Sequence, residues 1–118
     1  MVDASGNLRY ASSEFKALKN QSAFFKEFGS AGKNREWHHI VEQRKANVDK
    51  FGAENIFNTP NTVEVDKSLN RRIGEYYSSK DPFVSGNQTV REWLNSKSYE
   101  EQYEFGMRTL QRFLGVLP

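Results

Sequence analysis

Two histidines, His38 and His39, stand side by side in the stretch Arg35-Glu36-Trp37-His38-His39-Ile40-Val41-Glu42-Gln43, and the chain has no others. An imidazole titrates near neutrality, so it can take a proton from water or lend a nitrogen lone pair to a metal. Downstream, Asn61 and Asn70 carry amides that can brace a loop or turn an oxygen toward a cation. Arg71 and Arg72 carry guanidinium groups whose fork fits a phosphate. Hydrolysing a phosphodiester near neutral pH calls for an activated water, a cation to stabilise charge on phosphate and departing oxygen, and a group that holds the base in place. Histidine, asparagine and arginine can together supply all three.

The elements that must position these groups follow from local pattern. A short strand from about Glu36 to Val41 carries the histidine pair. Successive side chains on a strand face opposite ways, so His38 and His39 need separate tasks unless a bend or bulge at the strand end brings them together. Residues 42 to 55 read as a loop with a helical turn around Val48 and Phe51, stopped at Gly52. Asn58-Thr59-Pro60-Asn61 is a dense turn signal. Thr62 to Val65 is expected as a second strand antiparallel to the first. A helix from about Lys67 to Ser78, capped by Asp66 or Ser68, comes next. With Leu69 at zero and about 100° per residue, Ile73, Tyr77 and Tyr76 share its buried face, Asn70 sits on one rim at about 100°, and Arg72 on the other at about 300°. Arg71 faces water.

Other elements flank this centre. Residues 1 to 11 show no sustained period and are expected to form a linker or arm. Ser12 or Ser13 is expected to cap a helix with Phe15, Leu18, Phe25 and Phe28 on one side, ended by Gly29 and Gly32. Near the other end, Thr89 with Glu92 and Ser98 with Glu101 each fit the reciprocal capping box, which marks two helix starts. The second of these helices carries a core stripe of Tyr99, Tyr103, Met107, Leu110 and Leu114. Trp37 and Trp93 read as core anchors rather than platforms for bases.

At 118 residues the chain is expected to form one domain, 12 to 118, around a core at about 35 to 80. Its 36% hydrophobic and 14% aromatic content favours a packed fold over a disordered tail. The absence of cysteine removes disulfides and thiolate metal sites. A formal charge of +2 is too small to identify a nucleic-acid partner. No apolar run approaches the roughly 18 residues of a membrane span, so no membrane partner is expected. The polar start Met1-Val-Asp-Ala-Ser-Gly-Asn7 reads as a segment cut from something longer.

The order His38-His39, Asn61, then a helix bearing Asn70 resembles the ββα-metal fold of the HNH and endonuclease VII superfamily. More closely, Trp37 to Gln43, Phe51-Gly52, Ile56 to Asn61, Ile73 to Lys80 and Val90 to Leu94 resemble the C-terminal nuclease modules of bacterial polymorphic toxins, of the Rhs and contact-dependent inhibition types. The similarity covers roughly residues 35 to 114. It implies an α+β fold, with a short antiparallel strand pair and a helix forming the ββα-metal centre between N- and C-terminal helices. It implies His39 as general base, His38 as metal ligand and Asn61 as the brace of loop and imidazole, with Asn58 competing for that last role. The final position is usually histidine, and here it is Asn70. That departure shifts the expected divalent metal toward magnesium, with manganese, zinc and nickel as alternatives, and leaves bracing or phosphate contact as another task for His38. Arg72, or else Arg71, is expected on the scissile phosphate. Glu42 and Gln43 match the family text without an assignable step.

The activity so implied is metal-dependent, sequence-tolerant cleavage of DNA by the toxic end of a larger secreted bacterial protein. It would act as a monomer in the cytoplasm of a target cell and be silenced by a cognate immunity protein. An RNase of the same fold is one competitor, because activated water needs no 2′-hydroxyl. A noncatalytic binding module whose histidines merely pack is another.

Overall fold

The computed structural model describes residues 8–115 of the chain. Among them are two strands and five α-helices in an α+β arrangement: α1 (Gln21–Phe28), β1 (Arg35–His39), α2 (Lys45–Phe51), β2 (Thr62–Asp66), α3 (Lys67–Tyr77), α4 (Val90–Leu94) and α5 (Tyr99–Phe113). Strands β1 and β2 pair antiparallel, with His38 opposite Val63 and His39 opposite Thr62. Pairing ends there, but Ile40 N–H still donates to the Asn61 carbonyl at 2.9 Å, which keeps the two chains together one step past the strands.

Alternation along the strands divides the core. Ile40, Val63 and Val65 join Leu69, Ile73 and Tyr77 of α3 and Leu110 of α5 in the larger apolar cluster. Val41 turns the other way and packs with Ile56 and Phe57. Each fully buried aliphatic chain contributes about 1.5–3 kcal/mol, so α3 is clamped to the strands through Leu69, Ile73 and Tyr77, the buried face expected from its wheel. Tyr76 is only half-buried, and its hydroxyl donates to Asp81 at 2.7 Å.

The first helix differs from expectation. It begins at Gln21, and its cap is Asn20, whose Oδ1 accepts from Ala23 N–H at 2.8 Å. Ser12 and Ser13 do not start it. The physical reason is that the preceding chain spends its backbone groups elsewhere: Leu18 N–H donates to Phe57 and Thr59 N–H to Lys16, while Tyr10 bridges to Val63. Those bonds, with bends at Ala11, Ser13 and Glu14, hold residues 8–18 against the molecule in a non-helical path. Phe15 is consequently 70% exposed and Phe25 50%. The anchor of α1 is instead Phe24, fully buried against Phe28, Trp37 and His39. Residues 1–7 of the expected arm lie outside the described residues, whereas Arg9 and Ala11 hydrogen-bond to β2 and its start.

Both capping boxes form as expected, at Thr89 with Glu92 and at Ser98 with Glu101. On α5 the fully buried line is Gln102, Gly106, Thr109 and Leu110, and the expected stripe of Tyr99, Tyr103, Met107 and Leu114 flanks it half-buried. The seam shifts because Gly106 lets the helix press on the end of β1: a Cβ built there would sit 2.3 Å from the Ile40 carbonyl oxygen. Gly106→Ala is therefore expected to push α5 off Ile40 and lower unfolding stability by about 1–3 kcal/mol. Chemical denaturation checks this, and an unchanged midpoint would contradict the close approach.

Candidate functional site

The two histidines go to different neighbours, as strand alternation requires. His38 turns toward α3, where its Nδ1 lies 2.8 Å from Asn70 Oδ1. His39 turns toward α1 and the segment before β2, where its ring meets Phe24 and Phe57 edge-on with centroids 6.5 and 5.8 Å away. Both still line one cleft of about 140 Å³, together with Trp37, Glu42, Gln43, Asn70, Gly74 and Tyr77. The pair thus borders one cavity without the two rings having a common partner.

Burial governs their electrostatics. His38 is 7% exposed and His39 5%. Desolvation lowers the His38 pKa below the ordinary imidazole value, opposed by the Asn70 hydrogen bond and by the charge of Glu42. For His39, desolvation followed by repulsion from His38 brings the pKa down to about 4. Both rings are therefore neutral at neutral pH. His39 Nε2 has no hydrogen-bond partner. An orphaned buried nitrogen costs about 1–3 kcal/mol, and such atoms call for a specific reason to persist.

Asn61 is fully buried. Its Oδ1 accepts from Val41 N–H at 2.8 Å, and its Nδ2 donates to the carbonyls of Val41 and Ile56 at 3.0 Å. It therefore ties the chain leaving the histidines to the chain entering β2. Asn58 does related work one turn earlier: its Oδ1 accepts from Asn61 N–H, and its Nδ2 donates to the Glu54 carbonyl. The contest between the two asparagines resolves into two successive braces, of which only Asn61 reaches the segment just after His39.

Asn70 sits on the rim of α3 facing the cleft. Besides approaching His38, its Nδ2 donates to Glu36 Oε1 at 2.9 Å. Arg72 does not join these residues: it is exposed, with its guanidinium over the Phe113 ring at 5.8 Å. Arg71 is exposed as well. Glu42, at the cleft wall, is held by a two-pronged pair with Arg91, Nε to Oε1 at 2.9 Å and Nη2 to Oε2 at 2.7 Å. Arg91 also donates to Ser78 at 2.7 Å. Trp37 is half-buried and donates its indole N–H to the Gly29 carbonyl, which supports its reading as an anchor.

Sequence reasoning missed Glu36 and Arg91. For Glu36 a signal existed, since residues two apart on a strand share a face and Glu36 stands two before His38. Arg91 pairs with Glu42 across 49 residues and had no local signal.

Two outcomes are expected from this geometry. Asn61→Ala strands the buried Val41 N–H and two carbonyls, and is expected to cost about 2–4 kcal/mol in denaturant unfolding. A loss under about 1 kcal/mol would contradict the brace. Since the His39 pKa is lowered in the fold, the unfolded chain takes up the proton first on acidification. Its contribution is whole above about pH 6.5 and is lost as pH falls toward about 4, by about 3 kcal/mol. His39→Phe, which keeps an aromatic ring between Phe24 and Phe57, is expected to flatten that fall, and an identical pH profile for the variant would contradict it. No family model matches the chain, and no curated protein or solved structure is found similar to it, so the chemistry rests on the site's own geometry.

Proposed function

We propose that the protein is a metal-dependent endonuclease with a ββα-metal centre formed by β1, β2 and α3, cutting DNA with little sequence preference. The observation that carries this is the approach of His38 Nδ1 and Asn70 Oδ1 to 2.8 Å at the wall of a cleft that also holds the neutral His39. Two such atoms are spaced as a hydrogen bond requires, and also as two donors bound to one small cation at about 2.1 Å each would be.

Among the described residues, no cluster of three or more His, Cys, Asp or Glu side chains could hold a metal ion. One imidazole and one amide oxygen fit a hard cation that keeps most of its water and shares the substrate's phosphate, which favours magnesium, with manganese next. Zinc or nickel finds too few imidazoles. In the proposal His38 and Asn70 hold the cation, which when bound stabilises negative charge on the phosphate and the departing oxygen. His39 is the proposed base. It is neutral at working pH, and its Nε2 makes no bond to the protein; in the tautomer with the proton on Nδ1, that nitrogen holds the lone pair that would take a proton from water. Asn61 acts through the backbone, fixing the chain that follows His39. No phosphate-binding step is assigned to Arg72, which lies away from the cleft.

The wider reading is that this domain is the toxic end of a larger secreted bacterial protein, acting in the target cytoplasm and restrained by an immunity protein. It is compatible with the finding that no helix among the described residues is long and apolar enough to cross a membrane. Cleavage of RNA by the same groups is the other outcome open to the test.

Plasmid DNA and total RNA, each incubated with magnesium and with EDTA, provide that test. The expected result is magnesium-dependent plasmid cleavage, lowered about 10²- to 10⁴-fold in a folded His39→Ala variant, with Asn70→Ala requiring more magnesium for half-maximal rate. RNA cleavage alone would transfer the reading to an RNase. No cleavage of either polymer by the folded wild-type protein would overturn it in favour of a binding module.

A further inference from the structure

Glu36, Asn70 and His38 form an ordered chain of contacts. Asn70 Nδ2 lies 2.9 Å from Glu36 Oε1, and Asn70 Oδ1 lies 2.8 Å from His38 Nδ1. An ionised carboxylate only accepts hydrogen bonds, so the amide must present its NH2 to Glu36. Its oxygen is then forced toward His38. An amide oxygen accepts and never donates, so in the metal-free protein the proton of the neutral imidazole must sit on Nδ1, leaving the lone pair on Nε2.

We propose that Glu36 is a positioning residue: it keys the Asn70 amide so that oxygen, never nitrogen, faces His38, and thereby sets the tautomer of that imidazole. The placement follows from the fold. Glu36 and His38 share one face of β1 by two-residue alternation, and Asn70 comes down on that face from the first turns of α3. Without the carboxylate, the amide could turn over and offer NH2 to His38 Nδ1, which would move the imidazole proton to Nε2. The inverted amide would also have no lone pair to give a cation, because an amide nitrogen is a donor only. The functional consequence rests on His38 and Asn70 holding a metal. The tautomer assignment rests on the contacts alone.

The test reads the tautomer directly. In ¹⁵N-labelled, metal-free protein at about pH 8, where the rings are neutral, the two ring nitrogens of His38 report by chemical shift and long-range proton coupling which one carries the proton. Wild type is expected to show Nδ1–H as the dominant form. Glu36→Gln, nearly isosteric and half-buried at the same place, is expected to shift His38 toward Nε2–H or a mixture, because glutamine can donate to Asn70 Oδ1 and release the amide. The double variant Glu36→Gln with Asn70→Asp provides the rescue: aspartate accepts from both neighbours and is expected to restore Nδ1–H. A wild-type His38 in the Nε2–H form, or an unchanged His38 spectrum in folded Glu36→Gln, would overturn the proposal. Because no cleavage is measured, failure of the nuclease reading leaves this result standing, and failure here leaves the cleavage assay unaffected.

Discussion

The arrangement depends on one buried amide. Asn61 has no exposure, yet it satisfies one N–H and two carbonyls belonging to segments on either side of a long excursion between β1 and β2. The strands alone would leave this excursion loosely tethered, since each contributes only five residues to the sheet and a two-stranded pair is marginal in water. With Asn61 in place, the chain leaving His39 is held to the chain entering β2, and Ile40 and Val41 fall into separate apolar clusters. Helix α5 then seats on the same point, because Gly106 lets it reach the Ile40 carbonyl. The position of the histidine pair is thus set by backbone hydrogen bonding and close packing just beyond it.

Two polar chains radiate from that frame. Glu36, Asn70 and His38 run across the gap between β1 and α3. Glu42, Arg91 and Ser78 run from the loop after β1 to α4 and the end of α3. Each ends at the cleft, and each spends its charge internally: the Glu36 carboxylate orders an amide, and the Glu42 carboxylate is held by a guanidinium. The remaining cleft groups are neutral rings and amides. Such a site offers lone pairs rather than charge, which under the proposed reading a hydrated divalent cation and a phosphate would complete together.

Much of the centre was legible from residue order. The strand pair, the turn at Asn58 to Asn61, the apolar period of the helix from Lys67 and both capping boxes follow from alternation, turn chemistry and caps, which act over a few residues, although Asp66 at the head of that helix makes no side-chain cap bond. The start of α1 was not legible, because the non-helical path of residues 8–18 is fixed by bonds to Phe57, Thr59 and β2, far along the chain. Asn20 caps better than the earlier serines only once that path is set. The wheel set Arg72 on the rim of α3 opposite Asn70, and there its guanidinium lies over the ring of Phe113, a contact that no local pattern announces. Arg91 was invisible because its partner lies 49 residues away. Glu36 could have been found from strand periodicity alone.

The most direct measurement of the central claim is where a cation sits. Substoichiometric manganese, followed by paramagnetic broadening of assigned amide and side-chain NMR signals, maps its nearest residues. Signals of His38, Asn70 and their immediate neighbours on β1 and α3 are predicted to broaden first and to recover on adding excess magnesium. Broadening confined to exposed carboxylates away from the cleft, or none at all, would contradict the account.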